Sequence, residues 1–205
     1  MPLSGGIQAP ADMETVLGKD HPDTLKSMID LGTSLSQQGK YAEAEAIYRQ
    51  ILQLQETVLG KDHPDTLWSM MDLGTSLSQQ GKYAEADAIY RQTLQLQETV
   101  LGKDHPDTLG SMIGLAVSLD QQGKYTEAEA IHRQTLQLQE TVLGKDHPDT
   151  LGSMNNLAKS LRHQGKYADA EAIHRQTLRL RETVLGKDHP DTLMSMSNLA
   201  ESLRQ

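Results

Sequence analysis

LGKDHPDTL, at residues 59–67, is the stretch that decides how this chain is organised. The same nine letters recur every 42 residues, starting at Leu17, Leu59, Leu101, Leu143 and Leu185. Internal repeats of about 20–50 residues are typical of stacked arrays in which each repeat packs only on its neighbours. Residues 12–205 are therefore predicted to form one domain, which follows a flexible leader at 1–11. This domain begins with part of a helix B at 12–20 and ends with a terminal helix A at 189–205. Between them lie four full repeats, at 21–62, 63–104, 105–146 and 147–188.

Each repeat is predicted to form two antiparallel helices, A and B. Helix A begins at HPDT, because Pro22 lacks the N–H that the first helical position leaves unused and Asp23 lies at the positive end of the helix dipole. Apolar residues then recur at spacings of three and four, the pattern of an amphipathic helix. Gly39 is expected to end helix A, and helix B should run from about Tyr41 to Leu59, with an apolar stripe of Ala44, Ile47, Ile51, Leu54 and Val58. The pattern predicts an all-α solenoid of antiparallel hairpins.

The repeats also carry a family pattern. Its letters are L-G-x-x-L, QGKY and A-E-A-x-A-I-Y, given in the first repeat by Leu31, Gly32, Leu35, Gly39, Tyr41, Ala44 and Tyr48. Over about residues 12–205 the chain resembles the tetratricopeptide repeat, with a period of 42 in place of the usual 34. The helix B proline of that family is absent, with Glu56 near its place. The longer repeat is similar to those of kinesin light chains and of NOD-like receptors of fungi and bacteria.

The resemblance implies a right-handed superhelix in which the A helices line a concave groove and peptide ligands bind there. It also implies a non-enzymatic scaffold, which could be the sensor or recruitment module of a larger receptor-like protein. A structural spacer, or an engineered array without a natural ligand, is the alternative, because recent duplication and deliberate assembly both give nearly identical repeats.

Composition narrows the classes of partner. The net charge of −9 argues against nonspecific nucleic-acid binding, which needs clustered lysine and arginine. The chain has no cysteine and no apolar run near the roughly 20 residues of a membrane helix. We expect a cytoplasmic protein with a protein or peptide partner, and with no membrane, metal or cofactor. The apolar side of the last helix, which carries Leu193 and Leu203, looks incomplete, so the chain is either an excerpt of a longer array or self-associates there.

Apart from position 32, which is glycine or alanine and is attributed to small-residue packing, helix A changes between repeats on one side only. The changing positions, numbered in the first repeat, are 26, 29, 30, 33, 36 and 37. At about 100° per residue they fall within about 120° of one another, opposite the unchanging Met28, Leu31 and Leu35. The outer side of helix B is nearly constant at positions 43, 45, 49 and 50. This contrast favours a diversified binding face, although drift at exposed positions is the alternative.

We call this side of the A helices the variable face, and we predict that it contacts the ligand. The predicted ligand-contacting residues are Lys26, Ile29, Asp30, Thr33, Ser36, Trp68, Met71, Asp72, Thr75, Ser78, Ile113, Val117, Asp120, Asn155, Asn156, Lys159, Arg162, His163, Ser197, Asn198 and Glu201. The acidic residues lie mainly in the first three repeats and the basic ones in the last two, which predicts a ligand whose acidic part lies over the C-terminal repeats. Trp68, the only tryptophan, is either an aromatic anchor or an incidental surface residue.

Three other constellations are rejected. The KDHPD clusters have imidazole and carboxylate groups that suit a divalent metal, but capping a helix start already explains them. Serine, histidine and aspartate recur in every repeat, whereas a catalytic triad needs one oriented set in one pocket. The arginines Arg175, Arg179 and Arg181 on one helix B are interpreted as a solvated face rather than as a second contact surface.

Overall fold

The computed structural model describes residues 17–19 and 21–204, and in this part of the chain it contains nine α-helices and no strand. They are α1 (Pro22–Gln37), α2 (Tyr41–Val58), α3 (Pro64–Gln79), α4 (Tyr83–Val100), α5 (Pro106–Gln121), α6 (Tyr125–Val142), α7 (Pro148–His163), α8 (Tyr167–Leu185) and α9 (Pro190–Ser202). The predicted helix boundaries are confirmed to within one residue in the first repeat. The predicted leader at 1–11, and most of the predicted partial helix at 12–20, lie outside the described residues.

The chain divides into two compact units, Met1–Val100 with α1 to α4 and Leu101–Gln205 with α5 to α9. Within each unit, every helix packs against the next one along the chain. Within a unit, the second helix of a hairpin therefore also packs against the helix that follows it. The prediction of a single domain over residues 12–205 stays a prediction.

The repeated nonapeptide joins one hairpin to the next through four fixed features. Gly60 has a φ of +99°, which takes the chain out of α2. Pro64 is the first residue of α3, and the Nδ1 atom of His63 accepts the backbone N–H of Asp65 at 3.2 Å. The hydroxyl of the buried Thr66 then donates to the carbonyl oxygen of Gly60 at 2.8 Å. This bond ties the start of helix A to the end of the preceding helix B.

The turn inside each hairpin is shorter. Gly39 has a φ of +74°, and the N–H of Lys40 donates to the carbonyl of Leu35 at 2.9 Å. This backbone bond closes the end of α1 in the way typical of a glycine C-cap. The same bond recurs at the corresponding turns of the other three hairpins, between Lys82 and Leu77, Lys124 and Leu119, and Lys166 and Leu161.

The core of each hairpin contains the predicted stripe of helix A and a stripe of helix B that differs from the expected one. Leu25, Met28 and Leu35 are buried, as the spacing indicates. On α2, however, Val58 is half exposed, while Gln55 is buried. The expectation that Val58 belongs to the core is therefore wrong. The last turn of helix B places the Gln55 face, rather than the Val58 face, against the rest of the protein.

Helices A and B of a hairpin approach closely where a glycine of helix A faces an aromatic ring of helix B. A Cβ atom on Gly74 of α3 would lie 2.9 Å from Cε1 of Tyr90, and one on Gly32 would lie 2.9 Å from Cε1 of Tyr48. The third and fourth repeats carry alanine at this helix A position and histidine at the helix B position, where His132 and His174 are buried. The smaller imidazole leaves room for the extra methyl group. The Gly–Tyr and Ala–His pairs therefore fill the same space between helices A and B with different side chains.

A carboxylate links successive hairpins within each unit. In unit 1, Glu45 of α2 accepts hydrogen bonds from Gln80 at 2.8 Å and from Lys82 at 2.7 Å, both in the turn of the next hairpin. The Lys82 ammonium lowers the pKa of this carboxyl to about 2, although partial burial opposes the shift. Arg49 donates to Glu45 at 2.9 Å and to Glu85 of the next hairpin at 3.1 Å. The near-constancy of positions 45 and 49 on the outer side of helix B therefore has a structural cause.

We expect Gly74→Ala to lower the free energy of unfolding by about 1–3 kcal/mol, because the new methyl group overpacks against the ring of Tyr90. The double variant Gly74→Ala/Tyr90→His, which copies the natural pair of the later repeats, should recover most of this loss. Urea unfolding followed by circular dichroism measures both values.

Gly152→Ala is the matched control, because a Cβ atom there meets nothing within 4 Å in the middle of α7. This variant should be neutral or more stable by about 0.5–1 kcal/mol. Equal effects of the two alanine substitutions would show that the ring contact does not limit the residue at position 74.

Candidate functional site

The variable face of unit 1 is made by α1 and α3. Exposed side chains on it are Lys26, Asp30, Thr33, Trp68 and Thr75, and partly buried ones are Ile29, Ser36, Met71 and Asp72. Ser78 is buried. It has little surface to offer a ligand, and we remove it from the set of candidate contacts.

The variable face of unit 2 is made by α5, α7 and α9. Exposed side chains on it are Lys159, His163, Ser197 and Glu201, and partly buried ones are Ile113, Val117, Asp120, Asn156, Arg162 and Asn198. Asn155 is only 5% exposed, and its Oδ1 atom accepts a hydrogen bond from Nδ2 of Asn198 at 2.7 Å. Asn155 therefore joins α7 to α9, and we remove it from the candidate contacts as well.

Two clefts lie between α5 and α7 in unit 2. The smaller one, of about 210 Å³, is lined by Val117, Asp120, Gln121, Asn156, Lys159, Ser160 and His163. The larger one, of about 600 Å³, is lined by Asp104, Pro106, Leu109, Gly110, Ile113, Gln139, Val142, Leu143, His147, Pro148, Asp149, Gly152, Ser153 and Asn156. Asn156 lines both, so the clefts adjoin. Together they include six of the residues predicted from the sequence.

Part of the basic charge predicted for the unit 2 face is paired within the chain. Arg162 pairs with Glu201, with 3.0 Å between Nη1 and Oε1. Its charge is therefore partly offset. Lys159 and His163 remain exposed in the smaller cleft, and the ring of His163 lies 5.0 Å from that of Tyr125. The basic surface is thus smaller than expected and is centred on these two residues.

Part of the variation in helix A follows the residue that it meets on helix B. The hydroxyl groups of Thr75 and Tyr90 lie 3.0 Å apart in unit 1. In unit 2, the Oδ2 atom of Asp120 lies 3.0 Å from Nε2 of the buried His132. The sequence contains this signal, because the tyrosine-to-histidine change in helix B accompanies the changes in helix A. It is not visible when the copies of helix A are compared without helix B.

The KDHPD motif has a capping role throughout. The Nδ1 atom of His21, and of His63, His105, His147 and His189, accepts the N–H two residues later at 3.2 Å. Among the described residues no group of three or more histidine, aspartate or glutamate side chains could hold a metal ion. The imidazoles thus contribute to helix initiation.

Arg181 was misassigned from the sequence. It is 5% exposed, and its Nη1 atom donates to the carbonyl of Asp191 at 2.8 Å and to the hydroxyl of Ser195 at 3.0 Å. The interpretation of Arg181 as part of a solvated face is wrong. Arg175 and Arg179 are exposed, and Arg175 pairs with Glu171 on the same helix.

Asp72 has the most perturbed carboxyl group of the variable face in unit 1. Burial raises the pKa of Asp72 to about 6, and its negative charge adds to the effect of burial in raising the pKa of Tyr48 and Tyr90. The carboxyl therefore lies close enough to both rings to influence them. An ionised carboxylate there destabilises the fold at neutral pH.

Comparison with known proteins supports the fold. A tetratricopeptide-repeat family model matches the chain at residues 11–57, 31–99, 77–141, 111–183 and 149–205. Two crystal structures of a Podosopora anserina protein, described as a candidate kinesin light chain with nearly identical TPR-like repeats, are 28% identical to the chain and cover 90% of it and 87% of their own length. Their TM-scores are 0.80 and 0.79.

The structure of BtubC (BKLC) from P. vanneervenii gives a TM-score of 0.79 at 19% identity, and the match covers 95% of this chain and 79% of that one. No curated protein matches the sequence. The predicted fold class, an all-α solenoid of antiparallel hairpins, is confirmed by these matches. None of the helices in the described residues is long and apolar enough to span a membrane.

Asp72→Asn should stabilise the protein at neutral pH but not in acid. The folded-state pKa of about 6 exceeds the reference value of 3.8, so the wild type loses stability as the pH rises from about 4 to above 6. At pH 7.5 we expect the asparagine variant to gain about 1–3 kcal/mol in the free energy of unfolding. Below pH 3.8 the two proteins should unfold alike in urea.

Asp30→Asn, at the exposed equivalent position of the first repeat, serves as the control and should change stability by less than about 0.5 kcal/mol at either pH. A gain for Asp72→Asn that is the same at pH 3.5 and pH 7.5 would contradict a titration-based explanation.

Proposed function

The chain belongs to the tetratricopeptide-repeat family, and from this premise we propose that it binds a peptide or protein segment along its variable face. Tetratricopeptide repeats serve generally as protein-interaction scaffolds. In this proposal the A helices line a concave groove that holds the ligand, and the chain has no catalytic role. The array would be the sensor or recruitment module of a larger receptor-like protein in the cytoplasm.

The two adjoining clefts of unit 2 are the observation that carries the proposal. They are lined by Ile113, Val117 and Asp120 on α5 and by Asn156, Lys159 and His163 on α7. All six occupy variable positions, and the copies of a repeat differ where these side chains are accessible. A cleft with an apolar end and a polar end suits an extended peptide with alternating side chains.

The charges of the smaller cleft favour an acidic residue of the ligand near Lys159. This lysine and His163 are exposed, whereas Arg162 pairs with Glu201 and Asp120 lies against His132. A carboxylate of the ligand would gain a charge-assisted hydrogen bond to the free ammonium group. Such a contact sets orientation and association rate more than affinity.

The constancy of helix B does not distinguish binding from drift. In unit 1, Glu45 and Arg49 join neighbouring hairpins, so their positions have a structural reason to stay nearly constant. The proposal therefore rests on the clefts and their side chains, and a direct binding experiment is required to test it.

A peptide-display selection against the whole chain is expected to recover extended sequences that share an acidic residue. Lys159→Glu should weaken the binding of these labelled peptides about tenfold or more in fluorescence polarisation, and the loss should shrink at high salt. Lys145→Glu, in the exposed joint before α7, is the matched control and should leave affinity nearly unchanged.

Selection of no binding sequence would support the alternative of a structural spacer and contradict the proposal. Equal losses of affinity in Lys159→Glu and Lys145→Glu would show that the preference for acidic peptides comes from the net charge of the protein and not from the cleft.

Self-association through α9 is a separate prediction. Leu193 on this helix and Leu203 directly after it are about half exposed. Light scattering over a range of concentrations should show a rise in mean mass for the wild type and a smaller rise for Leu193→Ser/Leu203→Ser. A constant monomer mass at high concentration would exclude it.

A further inference from the structure

The larger cleft of unit 2 contains buried polar atoms that the proposed function leaves unused. The side-chain oxygen of Gln139 and the hydroxyl of Ser153 are buried and have no hydrogen-bond partner within the described part of the chain. Each residue is only 2% exposed, and both line the cleft. Buried polar groups in native proteins are nearly always paired, so these two atoms are available to a hydrogen-bonding group of a ligand, as are the side-chain oxygens of Gln55 and Gln97 at the same position of the first two repeats.

Two glycines leave room for a ligand side chain in the larger cleft. Gly110 and Gly152 occupy the first variable position of their helices, where the second and fifth repeats have Trp68 and Met194. A Cβ atom on Gly152 would meet nothing within 4 Å. The wall beside them is apolar, with Leu109, Ile113, Val142 and Leu143 among its residues. The cleft can therefore hold the methylene groups of a long side chain.

The charge at the cleft is negative. Its lining includes the carboxylates of Asp104 and Asp149 and no lysine or arginine. The Nδ1 atom of His147 already accepts the N–H of Asp149, so this imidazole edge adds no positive donor. A cationic group is favoured over a neutral one in such surroundings.

The next repeat shows which cation fits. Arg181 occupies in α8 the position that Gln139 has in α6, and it donates to the carbonyl of Asp191 and the hydroxyl of Ser195. These two partners correspond to Asp149 and Ser153, 42 residues earlier. The fold thus accepts a guanidinium group at this register, and in the α6–α7 pair the chain does not supply one.

We propose that the cleft at Gly110 and Gly152 binds an arginine side chain of the partner. Its methylene groups lie along the apolar wall, and its guanidinium group donates to Gln139 and Ser153. The inference rests on the proposed peptide-binding function and extends it, since one ligand would place an arginine in the larger cleft and an acidic residue in the smaller one.

A direct test titrates the isotope-labelled chain with the blocked tripeptide acetyl-Ala-Arg-Ala-amide. Saturable shifts are expected for the side-chain amide of Gln139 and the backbone amide of Ser153. The lysine tripeptide should bind about fivefold more weakly, because an ammonium group lacks the planar set of donors, and the norleucine tripeptide should bind more weakly still. Equal binding by either of these peptides would overturn the proposal.

Gln139→Arg should fill the site from within the protein, as Arg181 does in the next repeat, and should weaken arginine-tripeptide binding about tenfold. Gln137→Arg adds the same charge at an exposed position of α6 and is the matched control, expected to keep the shifts. Unchanged binding to Gln139→Arg would also overturn the proposal.

The display-selected peptides separate this inference from the proposed function. One outcome is that the selected peptides bind the wild type and Gln139→Arg equally well and fail to bind Lys159→Glu. This outcome would support the scaffold function and contradict the arginine site. Arginine-tripeptide shifts at Gln139 without any selected peptide would support the site and count against the wider function.

Discussion

The hydrogen bond from the threonine of HPDT to the glycine that precedes it holds the repeats in register. Thr66 and Gly60 are six residues apart, and the donor hydroxyl is buried where one hairpin meets the next. The glycine must reverse the backbone, the histidine must cap the new helix and the proline must begin it. Each of these needs a different residue type, which explains why the joint tolerates so little change.

A second constraint acts inside each hairpin, between helices A and B. Tyr48 or its equivalent fills the space beside a residue without a side chain, and histidine fills it when an alanine methyl group is present. Residues that follow this position on helix A contact the same side chain, as Thr75 does with Tyr90 and Asp120 with His132. The residues of the variable face therefore depend in part on the helix B behind them.

The sequence predicted most of the fold because its signals are local. HPDT, the QGK turn and the spacing of apolar residues each act within a few positions, and the helix boundaries follow from them. Asn155, Ser78 and Arg181 could not be assigned in this way. A helical wheel gives the direction of a side chain relative to its own axis, whereas burial depends on the neighbouring helix, which for Asn155 supplies Asn198 as its partner.

The coupling between glycine and tyrosine has a consequence for how such arrays lengthen and shorten in a genome. Crossing over between two misaligned copies changes the number of repeats. It keeps each pair of helices A and B together when the break falls in the joint, because the same residues occur there in each copy and the same hydrogen bond in the last four. A break in the QGK turn instead joins helix A of one copy to helix B of another, and it can set an alanine against a tyrosine ring. Recombinants of this kind start with a strained core, so whole hairpins are the pieces that survive exchange.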